Sequence, residues 1–356
     1  MEEIKKFYRN KNVLITGVTG FKGSWLCLML TMFGAKVLGL GYKPNKNENL
    51  FNSLKLKKKI RLKFADIREF KKLEKILQNE KPQIVFHLAA QPLIIQSYND
   101  PYQTINTNSS GTLNVLEILR KFKSIKSIVC ITSDKCYSDN HSTKGFKETD
   151  RLGGSDPYSA SKASAEIIIK AYYDSFYKKK NIGLASARAG NVIGGGDWSA
   201  NRLIPDAIKS IKNNKIIYLR NPHFNRPWQH VLDPIFGYAL LAKKLYEEPK
   251  KYSQAWNFGS KKNTVTSVYE VIKKITKFWS SGKIKIKKNS KFYEQKNLQL
   301  NITKARKVLK WEPTYSMSKT IIETAAWYKG VIEKKYTPEF ITKKQIITFL
   351  EHVKFR

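Results

Sequence analysis

Residues 12–33 constrain this chain more than any other stretch. Asn12–Thr16 (NVLIT) is a short, strongly apolar run. It passes directly into Gly17-Val-Thr-Gly20-Phe-Lys-Gly23 and then into the apolar helical pattern SWLCLMLTMF. Strand, glycine turn and helix in that order present backbone N–H groups at a helix start to a pyrophosphate, and side chains at the glycines would block the approach. Glycines alone often mark ordinary turns. Here the flanking strand and helix supply the context that a dinucleotide-binding loop requires. The spacing is GxxGxxG, not the commoner GxGxxG.

The alternation continues. Lys36–Leu40, Ile84–Leu88, Ser127–Thr132 and Gly183–Ala187 read as buried strands, while Gly20–Phe33, Glu69–Asn79, Pro101–Phe122 and Pro157–Lys179 have helical length and period. Apolar strands alternating with helices predict an α/β fold with a parallel, doubly wound sheet. The second half is less regular. Phe224–Asp233 is rich in turn formers and aromatics; Val265–Trp279, Ile302–Leu309 and Ser316–Tyr328 read as helices, and Val331–Arg356 as a peripheral helical extension. This predicts a dinucleotide-binding domain over 1–190, with 232–257 packed into it. A smaller, mixed substrate-binding domain follows over 191–231 and 258–356.

Composition narrows the function classes. The 356 residues are 41% hydrophobic, enough for one large domain or two packed ones. The mean hydropathy of −0.45 and the lack of a long apolar run exclude a membrane span. The charged N-terminal stretch does not read as a secretory signal. Cys27, Cys130 and Cys136 form no CxxC pair, which predicts a reducing, cytoplasmic setting without disulfides. Histidines at 87, 141, 223, 230 and 352 have no metal-ligand spacing, so no metal is expected. The net charge of +38 suggests a polyanion partner. Yet 55 of the 66 basic residues are lysine, spread along the chain with local bunching at 283–296. Bidentate recognition of phosphate or bases would favour arginine. The charge therefore reads as a biased, solvated surface, with no nucleic-acid partner expected.

Further along, strand 2 ends Gly39-Leu-Gly-Tyr-Lys43, without an acid before Glu48, so this position leaves NAD and NADP open. Asp66, followed by Ile67 and Arg68 after strand 3, either reaches the adenine or caps the next helix. His87-Leu88-Ala89-Ala90-Gln91 closes strand 4, where small residues let a cofactor lie against the backbone; His87 itself reads as a satisfied, half-buried histidine. Tyr158 and Lys162 are spaced i, i+4, on one helix face. An ammonium beside the phenol is expected to lower its pKa toward that of a general base. Ser133, with Asp134 and Lys135, lies at the end of strand 5, where sites form in open α/β sheets.

Together these motifs resemble the extended short-chain dehydrogenases/reductases, and within them the nucleotide-sugar 4,6-dehydratases. The carriers are TGVTGFKG (16–23), HLAAQ (87–91), NTNSSGT (106–112), TSDKCY (132–137), YSASK (158–162), ARAGNVIGGGDW (187–198), RPWQHVLD (226–233) and NFG (257–259). The narrower likeness, carried by GFKGSWL, AAQPL, TSDKCY, GNVIGGGDW and RPWQHV, is to the branch acting on CDP-glucose. The resemblance implies a Rossmann-type fold, bound NAD and a homodimer formed through two helices per subunit. Its implied cofactor contacts are Gly17, Thr19, Gly20, Phe21, Lys22, Gly23, Asp66, Ile67, Leu88, Ala89, Ala90, Tyr158 and Lys162. Its catalytic set is Ser133, Asp134, Lys135, Tyr158 and Lys162, with Asp134 as the acid at C6. Most relatives have Glu where Lys135 stands, which leaves the C5 base open. Implied substrate contacts are Gln91, Asn106, Asn191, Arg202, Arg226 and His230, with Arg226 on the diphosphate and Trp198 and Trp228 near the nucleoside. Competing readings are an epimerase or reductase, which needs no Asp134, a dehydratase of dTDP-glucose or GDP-mannose, and a non-catalytic NAD- or polyanion-binding protein.

Overall fold

Seven parallel strands carry the molecule: β1 (Asn12–Thr16), β2 (Lys36–Gly41), β3 (Arg61–Phe64), β4 (Ile84–His87), β5 (Ser127–Ile131), β6 (Gly183–Ala189) and β7 (Ala255–Phe258). Their order is β3-β2-β1-β4-β5-β6-β7, with Val13 opposite both Val37 and Ile84. The direction of winding reverses between β1 and β4, which opens a crevice at the carboxyl ends of the strands. The computed structural model describes residues 2–44, 49–138, 145–261, 266–287 and 298–353. The lysines between 288 and 296, together with Glu48 and His141, lie outside the described residues.

Every residue of β4, β5 and β6 is buried, so these strands read as continuous apolar runs. Helices cover both faces. α1 (Phe21–Met32) and α6 (Leu232–Glu247) share one core with Trp25, Leu28, Phe236 and Trp256. α2 (Phe70–Leu77) and α3 (Gly111–Leu119) share the other with Leu14, Val85 and Ile128. α4 (Pro157–Tyr172) follows β5 and starts on Asp156, whose carboxylate accepts from the Ser159 N–H at 2.9 Å. α5 (Leu203–Lys212) borders the crevice.

Three short strand pairs rim the crevice: Val192–Ile193 with Gln229–His230, Asn225–Arg226 with Thr266–Ser267, and Ile217–Leu219 with Ile284–Ile286.

Two sequence expectations need correction. The helix expected over Pro101–Phe122 is interrupted by a π-turn at Asn106–Ser110. That turn is tied to α4, with Asn108 Nδ2 donating to Ser161 Oγ (2.9 Å) and Ser109 Oγ to the Ser161 carbonyl (3.2 Å). The terminal extension is also not peripheral. α7 (Met317–Ile332) and α8 (Pro338–His352) bury Trp327, Ile346 and Phe349, and Phe349 packs edge-on against Tyr315 at 5.2 Å. Among the described residues no helix is long and apolar enough to cross a membrane, and no group of three or more His, Cys, Asp or Glu could hold a metal ion.

Candidate active site

The crevice holds a cavity of about 880 Å³ that runs from the glycine loop to the short strand pairs. Gly17 has φ +70°, and a Cβ there would stand 2.7 Å from the Ala89 nitrogen at the end of β4. A Cβ on Gly23 would stand 2.2 Å from the Gly17 carbonyl oxygen. The loop thus closes only without side chains. Gly20, the N-cap of α1, has no side chain to take up the first-turn N–H groups, which suits them to an anion. Gly17, Thr19, Gly20, Phe21, Lys22, Gly23, Ile67, Leu88, Ala89 and Ala90 all line the cavity. These features fit a dinucleotide.

Asp66 is placed differently. Its carboxylate is held by Arg68, through Nε at 2.8 Å, Nη2 at 2.6 Å and the backbone N–H at 2.9 Å, and it does not line the cavity. Nor does it cap α2, whose N-cap is Glu69. His87 is buried between Thr16 Oγ1 (2.7 Å) and Thr112 Oγ1 (3.1 Å); burial, then the Lys162 charge, pull its pKa down to about 3. It is a neutral structural group.

Tyr158 and Lys162 project from the first two turns of α4 into the cavity. Burial pushes the Tyr158 phenol up to about 12, while its hydrogen bond with Ser133 pulls the other way. The expected depression by Lys162 does not appear. Lys162 Nζ is 6.0 Å from the ring centroid, and burial brings Lys162 itself down to about 8, against the opposing charge of Glu166. Desolvation of both partners outweighs their attraction.

Facing them is a 3-10 turn, Asp134–Cys136. Ser133 caps it, accepting from the Lys135 N–H at 3.3 Å and donating to Asp134 Oδ1 at 3.0 Å. Asp134 is buried, with its carboxylate seated on Gly190; a Cβ there would fall 1.7 Å from Asp134 Oδ2. Lys135 also lines the cavity. A phenol, a hydroxyl, a carboxyl and two amines thus converge on one volume, suited to proton transfers at neighbouring substrate atoms.

The far end is partly as expected. Asn191, Arg202, Arg226 and Trp228 line the cavity. Arg202 pairs with Asp197 at 3.0 Å, and Arg226 lies over the Phe224 ring at 5.2 Å. Three expected substrate contacts stand elsewhere. Gln91 spends its side chain on Leu93 and Thr104. Asn106 does not line the cavity, and the buried asparagine of that stretch is Asn108. His230 is fully buried, edge-on to Trp25 at 6.0 Å. Trp198 is partly buried and does not line the cavity; it packs edge-on against Tyr328 at 5.1 Å. Sequence reasoning missed Arg220, Asn221 and Lys287, which line the outer wall. No motif marks the first two, and Lys287 is one lysine among many.

Comparison with known proteins gives four further findings. The family profile described as GDP-mannose 4,6 dehydratase matches residues 14–324. A CDP-glucose 4,6-dehydratase of Salmonella typhimurium is 41% identical over 92% of this chain and 93% of its own length. Among solved structures, an epimerase of Methanothermobacter thermautotrophicus superimposes with a TM-score of 0.79 at 24% identity, covering 94% of this chain and 97% of its own. A dTDP-glucose 4,6-dehydratase of Bacillus anthracis, in complex with NAD, gives 0.73 at 24% identity over 91% and 98%.

Proposed function

The chain belongs to the GDP-mannose 4,6-dehydratase family, and from that premise we propose that it converts CDP-glucose to CDP-4-keto-6-deoxyglucose with bound NAD. It is a nucleotide-sugar 4,6-dehydratase, a hydro-lyase. The observation that carries this reading is the buried Asp134 in the same cavity as Tyr158 and Ser133, an acid that epimerisation does not need.

The dinucleotide, when bound, would supply a hydride acceptor that later gives the hydride back, with a ring charge that is positive only until the hydride arrives. Its pyrophosphate is assigned to Gly17–Gly23 and the start of α1, and its remaining length to Ile67 and Leu88–Ala90. Ser133 orients the C4 hydroxyl and Tyr158 takes its proton. Lys162 supports the phenolate with its charge. Once C4 is a ketone, the C5 proton is acidic, and Lys135 is assigned to remove it. Asp134 protonates the C6 hydroxyl as it departs, so that water rather than hydroxide leaves. Arg226 and Arg202 are assigned to the substrate diphosphate, since a guanidinium fork matches it. Asn191 is assigned to the sugar.

Residues 1–190 with 232–257 are assigned to the dinucleotide, and 191–231 with 258–356 to the sugar nucleotide. A homodimer is supported by the apolar side chains exposed just before α3, on α3 and on α4: Tyr102, Ile105, Leu113 and Ile167. The buried thiols Cys27, Cys130 and Cys136 suit the cytoplasm. The decisive experiment offers the protein CDP-, dTDP-, GDP- and UDP-hexoses with NAD. A 4-keto-6-deoxy product from CDP-glucose alone is expected; turnover of another nucleotide hexose in its place would overturn the assignment.

A further inference from the structure

The turn that carries the acid and the helix that carries the base meet at one buried carboxylate. Glu166 lies on α4, one turn beyond Lys162 and two beyond Tyr158. Its Oε1 accepts from Thr132 Oγ1, on the residue just before Ser133. Its Oε2 accepts from Ser186 Oγ and from Arg188 Nη2, each at 2.7 Å. Nη1 of Arg188 donates to Tyr137 Oη at 2.8 Å, where the 3-10 turn ends. Tyr137 in turn donates to Asn257 Oδ1 on β7 at 2.7 Å. Ser133, Asp134 and Lys135 are thus held at both ends by one ion pair.

That pair has no evident role in binding. Neither Glu166 nor Arg188 lines the cavity, and their side chains are only 3% and 4% exposed. Stability explains it poorly, because the desolvation of a buried pair about cancels its attraction and apolar residues often replace one without loss. What the pair does achieve is geometric. It joins three elements whose relative placement fixes the distance from acid to base: α4, the end of β5 and β6.

We propose that Glu166, paired with Arg188, is a positioning residue that sets the spacing between the Tyr158–Lys162 helix face and the Ser133–Asp134 turn. Its kinetic consequences rest on the dehydratase reading above; its structural consequence does not. Displacements of about 1 Å in such a constellation cost on the order of 100-fold in rate, so even partial loosening is measurable.

The test uses the full-length protein. Thr132→Val removes the hydroxyl that reaches Glu166 and keeps the β-branched shape; Thr132→Ser keeps the hydroxyl. The valine variant is expected to lose about tenfold in kcat with KM within about twofold. Amide hydrogen exchange over 132–137 should rise while the melting temperature holds. The serine variant should restore both readouts. Glu166→Gln/Arg188→Met, which removes both charges together and leaves neither unpaired, should show the same fast exchange and low kcat. Unchanged exchange in Thr132→Val overturns the proposal. So does a fall in kcat that serine fails to rescue, or normal turnover in the double variant. If the wild type converts none of the nucleotide hexoses, the dehydratase reading fails, and the exchange measurement alone still decides the positioning role.

Discussion

Tyr158 and Lys162 stand on a regular sixteen-residue helix, whereas Asp134 and Lys135 stand on a 3-10 turn of three residues that Ser133 caps. The two regions face one another across the same cavity, but their geometry has different origins. On the helix, the i, i+4 spacing alone puts phenol and ammonium on one face. On the turn the one neighbouring hydroxyl, Ser133 Oγ, does not by itself fix the carboxylate. Asp134 is placed by Gly190 beneath it, by the Ser133 cap and by the ties from Thr132 and Tyr137 to α4 and β6. Periodic elements carry their own site geometry; irregular ones borrow it from distant sequence.

Two substitutions test whether the halves also divide the chemistry. Tyr158→Phe should lower kcat about 10,000-fold, the upper range for one proton-transfer group, with KM little changed. Asp134→Asn keeps shape and loses the proton. We expect release of 6-deoxy product to fall about 1,000-fold while oxidation at C4 continues, so that a 4-keto sugar retaining its C6 hydroxyl accumulates. Product analysis by NMR distinguishes the two. If Asp134→Asn released 6-deoxy product at the normal rate, the turn would have no part in elimination and the comparison would collapse.

Gly190→Ala sharpens the point about borrowed geometry. Its Cβ would overlap the Asp134 carboxylate, so the acid must move although neither partner's chemistry changes. About 100-fold in kcat is expected, with C4 oxidation affected less than elimination. Equal losses in both half-reactions would show that the strain reaches α4 as well.

Legibility in the sequence follows the same division. The glycine loop, the buried strands and the Tyr158–Lys162 pair are local patterns, with period and flanking elements written in consecutive residues. The interruption at Asn106–Ser110 is not, because it depends on Ser161 more than fifty positions later. His230 sits in a motif beside Arg226, yet at the strand pair with Val192–Ile193 it turns into the core rather than the cavity. The outer wall, with Arg220 and Lys287, forms only when two short strands pair across more than sixty residues. Nor could the phenol's pKa be read from spacing, since burial acts on both partners and no spacing reports it.

The smallest expected effect is a pH limb, and it assigns ownership within the helix face. Lys162 is held at about 8 by burial, opposed by Glu166. The groups that face it are Glu166 on its own helix, Cys130 on β5, Cys136 on the turn, His87 on β4 and Lys22 at the start of α1. Below pH 8 Lys162 is charged and can support a phenolate; as the pH rises through 8 that charge is lost. Tyr158, held at about 12, gains phenolate tenfold per unit, so turnover should rise with pH up to 8 and show a flat limb above it, where the loss of Lys162 charge offsets that gain. Lys22 complicates the reading, because burial and the Arg202 charge bring it to about 8 as well. Lys162→Arg separates them, since a guanidinium keeps its charge through this range while Lys22 still titrates. If Lys162 owns the flat limb, turnover of this variant should instead keep rising to pH 10, even with a lower kcat. A limb that survives Lys162→Arg belongs to Lys22 and the phosphate loop. Lys135→Met offers the opposite control: it should slow solvent deuterium exchange at C5 and leave the limb where it is. A limb that moves with Lys135 would put the titrating group on the turn, and the helix face would then no longer account for the pH dependence.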